Sequence, residues 1–205
     1  MNNIGNISGT KPYIRVGGNT ADYALYNASL TEAVNGTFDY SKSINYPTTV
    51  YIGPSYFESY STWPDTKFTH GLNLGLATHP LGWASLLETV AVACKAFNND
   101  NLLWWEYGNE PDLYKVSPER ILRSKDFNQT KYLKQWKNGT TAIKEVLQES
   151  CPDLASDDKY GYVGPSFAGA AGFNITEVFE QGLNDNGTIK AITFHKYVTT
   201  NLLKF

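Results

Sequence analysis

Apolar residues alternate along the chain between a spacing typical of buried strands and a spacing typical of helices. Short, bulky apolar runs predict five strands, over residues 13–16, 68–76, 102–107, 160–164 and 189–195. Longer apolar or helically spaced runs predict helices over residues 55–61, 81–97, 126–149 and 175–183. The region between the first strand and the first helix is polar and turn-rich and has no predicted element. This alternation predicts βαβ units, and therefore an α/β fold with a parallel sheet covered on both faces.

The third predicted strand ends abruptly in a polar turn. Leu102 to Tyr107 is bulky and apolar, Gly108 loosens the backbone, and Pro111 stops strand pairing. Glu110 is therefore expected at the C-terminal end of a buried strand. In a (β/α)8 barrel that end carries the catalytic groups, so Glu110 is a candidate acid/base if the chain is a partial (β/α)8 TIM barrel. Five parallel strands would leave two free edges, which predicts a poorly stable or aggregation-prone isolated chain.

Composition bounds the number of domains and excludes several classes of partner. The 205 residues and 41% hydrophobic content suit one domain, residues 1–205, short of the roughly 250 residues of a complete barrel. A net charge of −3 without any Lys/Arg run argues against nucleic-acid or anionic-membrane partners. No apolar stretch approaches the ~20 residues of a membrane span. Aromatic residues make up 14% of the chain, which suits stacking on sugar rings, although core packing accounts for most of them.

Asn-X-Ser/Thr sequons are frequent and predict an extracellular glycoprotein, although an Asn- and Thr-rich chain also produces sequons by chance. The seven acceptors are Asn6, Asn27, Asn35, Asn128, Asn138, Asn174 and Asn186. The first residues lack the basic and apolar regions of a signal peptide, so a preceding segment is expected. Cys94 and Cys151 have no metal-ligand spacing and are compatible with one disulfide or with two buried thiols.

Three segments of the chain resemble signature segments of glycoside hydrolase family 79, which holds β-glucuronidases and heparanase-like endo-glucuronidases. They are YIRVGGNTAD at 13–22, WEYGNEPD at 105–112 and FHKY at 194–197. Residues 54–60 are similar to the fungal β-glucuronidase branch, and the resemblance covers nearly the whole chain. It implies that the three segments end barrel strands two, four and six, so that about strands 2 to 6 are present.

The resemblance also implies roles for individual residues. Glu110 would be the general acid/base, and Asn109 would hydrogen-bond the sugar 2-hydroxyl, an interaction that strengthens in the transition state. The turn at Gly18 would let backbone approach the ligand. The substrate-binding candidates are Asn109, Arg15, Gly18, Asn73, His195 and Tyr197.

Each of the weaker candidates has an alternative structural role. Arg15 suits a buried ion pair as well as the floor of a site. Gly18 and its neighbour suit a tight turn. Asn73 suits hydrogen bonding to backbone groups, and a single histidine such as His195 is often a satisfied core residue.

The implied chemistry needs a second carboxyl. A retaining glycosidase uses two carboxyls about 5–5.5 Å apart, and the family places its nucleophilic Glu on barrel strand seven. The chain has no Asp or Glu after Asp185. Glu106 lies on the same strand face as Glu110 but about 13 Å deeper, at ~3.3 Å per residue. The chain alone is therefore predicted to be inactive, and the complete enzyme is predicted to need no metal or cofactor.

Two other functions remain open at this point. Asn-Glu-Pro strand ends recur in other retaining barrel glycosidases, which suits a glucosidase or xylosidase. The missing second carboxyl suits a truncated, non-catalytic product that either binds glycans or has no remaining function. The barrel fold alone does not decide between them, because it hosts many chemistries.

Overall fold

The computed structural model describes residues 2–97, 100–117, 121–169 and 172–195. Its α-helices are α1 (Asn2–Ser8), α2 (Pro54–Glu58), α3 (Pro80–Ala96), α4 (Gln129–Ser150) and α5 (Ile175–Glu180). Its strands are β1 (Ile14–Val16), β2 (Ala24–Tyr26), β3 (Val34–Thr37), β4 (Thr49–Ile52), β5 (Phe68–Leu72), β6 (Leu102–Tyr107), β7 (Tyr162–Phe167) and β8 (Ile189–Phe194). No helix in these ranges is long and apolar enough to cross a membrane.

The main sheet has the strand order β1-β5-β6-β7-β8, and every neighbouring pair is parallel. The α/β class and the parallel sheet predicted from the sequence are therefore confirmed. In the described ranges β1 and β8 are the two edges of this sheet. All the C-terminal strand ends lie at one side of a parallel sheet, so the segments after β1, β6 and β8 come together there.

Two strand boundaries differ from the prediction by more than two residues. The second predicted strand was expected to run to residue 76, but β5 ends at Leu72. The amides of Leu74 and Gly75 donate to the Asp22 carboxylate, and the Leu76 amide donates to the Asn73 side chain, instead of to a neighbouring strand. The fourth predicted strand continues to Phe167 instead of stopping at residue 164.

A second, three-stranded sheet occupies the region that the sequence analysis left without elements. Its order is β2-β4-β3, with β2 parallel and β3 antiparallel to β4. The prediction was wrong here because the strands are three or four residues long and β3 is exposed along its whole length. The missed helix α1 buries none of its residues, so it also lacks an apolar face that a sequence pattern would reveal.

The two long helices form where predicted and pack beside each other. α3 begins with Pro80 in its first turn, a position where proline costs no hydrogen bond. α4 begins at Gln129, three residues later than predicted, because the Asn128 side chain caps it by accepting from the Lys131 amide. Its buried face includes Tyr132 and Trp136, which lie in the core.

A disulfide joins Cys94 near the end of α3 to Cys151 directly after α4. The sequence had left disulfide and free thiols as equal alternatives, and the structure has the disulfide. The bridge spans 57 positions of sequence. Cross-linking a loop of this length restricts the unfolded chain by about 4 kcal/mol in the chain-entropy account.

Candidate active site

The chain leaves β6 through a turn with unusual backbone geometry. Gly108 has a φ of 91° and Glu110 has a φ of 48°, the left-handed region that residues other than glycine rarely occupy. The Glu110 amide donates to the carbonyl of Ser166, 3.0 Å away, and Ser166 is itself left-handed with a φ of 56°. Such conformations cluster at functional sites, where the surrounding structure holds them in place.

This turn buries the Glu110 carboxyl beside a histidine. Glu110 is 4% exposed, and its Oε1 lies 2.7 Å from Nδ1 of His195. His195 directly follows β8, and its own amide donates to the Phe167 carbonyl at 2.8 Å. The ends of β6, β7 and β8 thus hold one carboxyl and one imidazole in direct contact. The His195 side chain is 20% exposed. Either group can donate in this hydrogen bond, according to which of them carries the proton.

Asn109 is held by hydrogen bonds to its side-chain oxygen, its side-chain nitrogen and its backbone amide. Its Oδ1 accepts from Arg15 Nη2 at 2.7 Å, and its Nδ2 donates to Oδ1 of Asn19 at 2.7 Å. Its backbone amide donates to Asp22 Oδ2 at 2.9 Å. These partners orient the side-chain amide, which keeps one lone pair and one hydrogen for a further partner.

Glu106 forms an ion pair with Arg15, the residue that contacts Asn109. Arg15 Nε donates to Glu106 Oε2 at 2.6 Å, and Nη2 donates to Oε1 at 3.0 Å. The Ser166 hydroxyl donates to the same carboxylate, and its oxygen lies 2.6 Å from the hydroxyl of Thr193 on β8. Glu106 is 2% exposed, whereas the Arg15 side chain is 39% exposed. The Glu106 carboxylate is therefore buried, whereas water reaches the Arg15 guanidinium.

Asp22 joins the ends of three strands. It lies in a 3-10 turn after β1, and its carboxyl accepts from the amides of Leu74, Gly75 and Asn109. Burial raises the pKa of Asp22 to about 7, although the Tyr114 hydroxyl and these amides act in the lowering direction. Asp22 thus fixes the backbone that presents Asn109.

A cavity of about 620 Å³ opens beside Glu110 and Asn109. One wall is the segment between β3 and β4, and the other is the segment that follows β6. Its described lining residues are Asn19, Asp22, Tyr23, Lys42, Ser43, Tyr46, Pro47, Thr48, Thr49, Asn109, Glu110, Leu113, Tyr114, Val116, Ser117, Ile121 and Leu122. In the ranges that the structure describes, no three His, Cys, Asp or Glu side chains form a group that could hold a metal ion.

The structure brings Glu110, Asn109, Arg15 and His195 together, as the sequence analysis expected. Arg15 is both an ion-pair partner and a neighbour of Asn109, so its two proposed roles coincide. Tyr197 lies outside the described residues. The substrate contacts themselves stay predictions.

Gly18 and Asn73 stand apart from this group. A Cβ added at Gly18 would meet no atom within 4 Å, whereas one at Gly17 would lie 3.2 Å from Glu106 Oε2, so Gly17 makes the close approach. Asn73 donates to the Ala24 carbonyl and accepts from the Leu76 amide, the backbone role given as its alternative. Their roles in substrate binding also stay predictions.

Sequence reasoning did not single out Asn19, Asp22, Ser166 or Thr193 as parts of the site. Small polar residues on loops and strands carry no distinctive pattern, so nothing in the pattern marks Ser166 or Thr193. Glu106 lies within β6, whereas Glu110 lies in the turn that follows it, so their even spacing does not place both on one face of the strand.

The chain is similar to curated fungal enzymes over almost all of its length. It is 50% identical over 201 residues to a β-glucuronidase of Neurospora crassa and 43% identical over 199 residues to one of Aspergillus niger. Each match covers 97% of this chain but 36% of the relative, so the chain spans about a third of their length. No protein-family model matches the chain.

A solved structure has the same fold. The crystal structure of a 4-O-α-L-rhamnosyl-β-D-glucuronidase from Fusarium oxysporum, in complex with Rha-GlcA, aligns with a TM-score of 0.71. The alignment covers 96% of this chain and 39% of that chain, with 23% sequence identity. At this identity the likeness concerns the fold, and it agrees with a parallel α/β arrangement.

The ion pair between Arg15 and Glu106 predicts that replacing one partner costs more stability than replacing the other. Replacing Arg15 with Met leaves the Glu106 carboxylate buried without its cation, which should cost about 3 kcal/mol of unfolding free energy. Replacing Glu106 with Gln leaves a cation that water can reach, so it should cost less, about 1 kcal/mol. Urea unfolding of the two variants and of the double variant measures both costs. Equal costs, or a larger cost for Glu106→Gln, would contradict the assigned burial.

Proposed function

We propose that this chain, which is related over nearly its whole length to the fungal β-glucuronidases, contributes the general acid/base of a retaining β-glucuronidase-like glycoside hydrolase of family 79. The observation that carries the proposal is the buried Glu110 carboxyl after β6, beside Asn109 and next to the large cavity. In the corresponding (β/α)8 barrel, β1, β5, β6, β7 and β8 would be strands 2 to 6. The observed strand order supports that numbering.

Glu110 would act twice in a double displacement. As a carboxylic acid it donates its proton to the glycosidic oxygen while the bond from that oxygen to the anomeric carbon breaks. A nucleophilic carboxylate bonds to the anomeric carbon in the same step. In the second step the Glu110 carboxylate takes a proton from water, whose oxygen displaces the nucleophile and releases the sugar.

Two neighbours suit this cycle. The His195 imidazole contacts Glu110 Oε1 and would hold the carboxyl in one orientation while its protonation changes. The Asn109 amide, held by Arg15 and Asn19, has a lone pair and a hydrogen left for the sugar 2-hydroxyl. A glucuronide substrate is supported by the names of the two curated relatives.

The nucleophile would come from outside these 205 residues. Glu106, the nearest other carboxylate on β6, is occupied by Arg15 and the Ser166 hydroxyl. The curated relatives are almost three times as long as the matched segment, which leaves room for further strands. We therefore expect no turnover by the 205 residues alone.

The role of Glu110 is tested in a chimera in which this chain replaces the matching segment of the Neurospora crassa enzyme. Glu110→Gln should lower kcat/KM for phenyl β-D-glucuronide about 100- to 10,000-fold, because the leaving oxygen loses its proton donor. The first, glycosylation step with 2,4-dinitrophenyl β-D-glucuronide should fall less, since that leaving group departs without a proton. Initial rates and pre-steady-state bursts measure both effects.

The exposed Glu145→Gln provides the matched control and should leave the rates unchanged. Full turnover by Glu110→Gln would refute the assignment. Preference of the chimera for phenyl β-D-glucoside or β-D-xyloside would favour the other retaining glycosidases.

We also propose that the protein is a secreted glycoprotein. All seven sequon asparagines are exposed, and the Cys94–Cys151 disulfide suits an oxidising compartment. Two of them, Asn128 and Asn174, use the side-chain oxygen as a helix cap, and the Asn174 nitrogen also donates to the Glu177 carboxylate at 3.3 Å.

Expression with a secretion signal in a filamentous fungus tests this proposal. Peptide-N-glycosidase should lower the mass of the secreted protein and convert occupied asparagines to aspartate. A mass that equals the bare polypeptide before digestion, with both cysteines reduced, would contradict it.

A further inference from the structure

The small sheet β2-β4-β3 has an outer face that carries one of the sequons. Its inner face carries Val50 and Ile52, which are buried in the core. Because side chains alternate along a strand, Tyr51 between them points to the opposite face, and it is 38% exposed. Asn35 on β3, the first residue of an Asn-Gly-Thr sequon, lies directly opposite Tyr51 in the antiparallel register. Asn35 and Tyr51 therefore share the outer face of this sheet.

The register also sets the distance between these two side chains. Residues directly opposite each other on antiparallel strands have Cβ atoms about 4.5–5.5 Å apart. The Asn35 side-chain nitrogen and the Tyr51 ring both lie within a few bonds of Cβ, so a sugar on that nitrogen would lie beside the ring. Of the seven sequon asparagines, Asn35 is the one that lies within a strand of the described ranges. Its neighbour across the sheet is therefore fixed by backbone pairing.

The surfaces of a sugar and of the Tyr51 ring are complementary. The pyranose ring of N-acetylglucosamine has C–H groups on its faces, and the face of an aromatic ring carries partial negative charge. Stacking of the two covers the apolar surface of Tyr51 and leaves the sugar hydroxyls in water. Every residue of β3 is exposed, which leaves room for a sugar above this pair of strands.

β3 is an edge strand of the small sheet in the described ranges. The free edge of such a strand offers unpaired N–H and C=O groups to other chains. Apolar side chains accompany this edge, since Val34 is 50% exposed and Phe38 is 45% exposed. A glycan in the middle of β3 would hinder pairing with another chain, and a contact with Tyr51 would keep the glycan in place.

We propose that Asn35 is glycosylated and that the first N-acetylglucosamine of its glycan stacks on Tyr51. The contact stabilises the β3-β4 pair, and the glycan shields the edge of β3. The inference rests on the proposed secretion and glycosylation and does not involve Glu110. It deepens that proposal, because it names one modification site, the sugar and the side chain that receives it.

Attachment of the glycan uses a lipid-linked oligosaccharide diphosphate as the donor. The Asn35 side-chain nitrogen bonds to C1 of the terminal N-acetylglucosamine. The bond from C1 to the diphosphate oxygen breaks, so the lipid diphosphate leaves with the electron pair. The nitrogen loses one proton to a base of the transferase, and no oxidant or reductant takes part.

The test uses the Neurospora crassa chimera secreted from a filamentous fungus. Mass spectrometry of its glycopeptides should find a glycan on Asn35. Asn35→Gln should accelerate amide hydrogen exchange in β3 and β4 about two- to tenfold, the factor that corresponds to one aromatic contact. Endoglycosidase H leaves a single N-acetylglucosamine on the asparagine, so its treatment should leave this exchange unchanged.

A double-mutant cycle separates the stacking from other effects of the tyrosine. Tyr51→Ser should accelerate exchange at least twofold more in the glycosylated protein than in the Asn35→Gln background. Asn186→Gln is the matched control, because it removes a second Asn-Gly-Thr sequon, located between α5 and β8. This control should leave exchange in β3 and β4 unchanged.

Three results would each overturn the inference: an unmodified Asn35, additive effects of Asn35→Gln and Tyr51→Ser, or faster exchange after endoglycosidase H. Glycans on other asparagines would then leave the proposed glycoprotein standing, whereas a protein without any glycan would refute both proposals. None of these results depends on the Glu110→Gln kinetics, so the proposed catalytic function is tested separately.

Discussion

The arrangement at the strand ends depends on one ion pair, between Arg15 on the edge strand β1 and Glu106 inside β6. The Glu106 carboxylate is buried, so the Arg15 guanidinium must remain beside it. One guanidinium nitrogen then reaches Asn109, which links the position of this amide to the ion pair. The side chain expected to contact the sugar is therefore oriented, through Arg15, by a carboxylate three residues earlier in the chain, inside β6.

Contacts from two neighbouring strands also hold the Glu110 turn and its carboxyl. Glu110 and Ser166 both adopt left-handed backbone conformations, and the hydrogen bond between them joins the ends of β6 and β7. His195, after β8, then completes the environment of the carboxyl. A strained turn bonded to two neighbouring strands presents a carboxyl with little freedom to move, and such preorganisation is what acid/base catalysis requires.

Sequence patterns predicted the parts of the molecule in which burial is periodic. The helices α3 and α4 and the parallel strands have such apolar patterns, and the polar turn after Tyr107 marked Glu110. The small sheet β2-β4-β3 could not be predicted, since its strands are short and β3 has no buried face. The hydroxyls of Ser166 and Thr193 gave no signal either, because their role depends on partners distant in sequence. Arg15 was recognised through a resemblance, and its dual role depends on contacts with Glu106 and Asn109, which are distant from it in sequence.

The central claim is that Glu110 provides the proton and that a carboxylate outside these residues provides the nucleophile. The most direct test treats the Neurospora chimera with a 2-deoxy-2-fluoro-β-D-glucuronyl fluoride, which traps the covalent glycosyl-enzyme, and locates the label by peptide mass spectrometry. We predict a labelled Glu beyond the 205-residue segment. A label on Glu106 or Glu110 would contradict the account, because it would make one of these side chains the nucleophile.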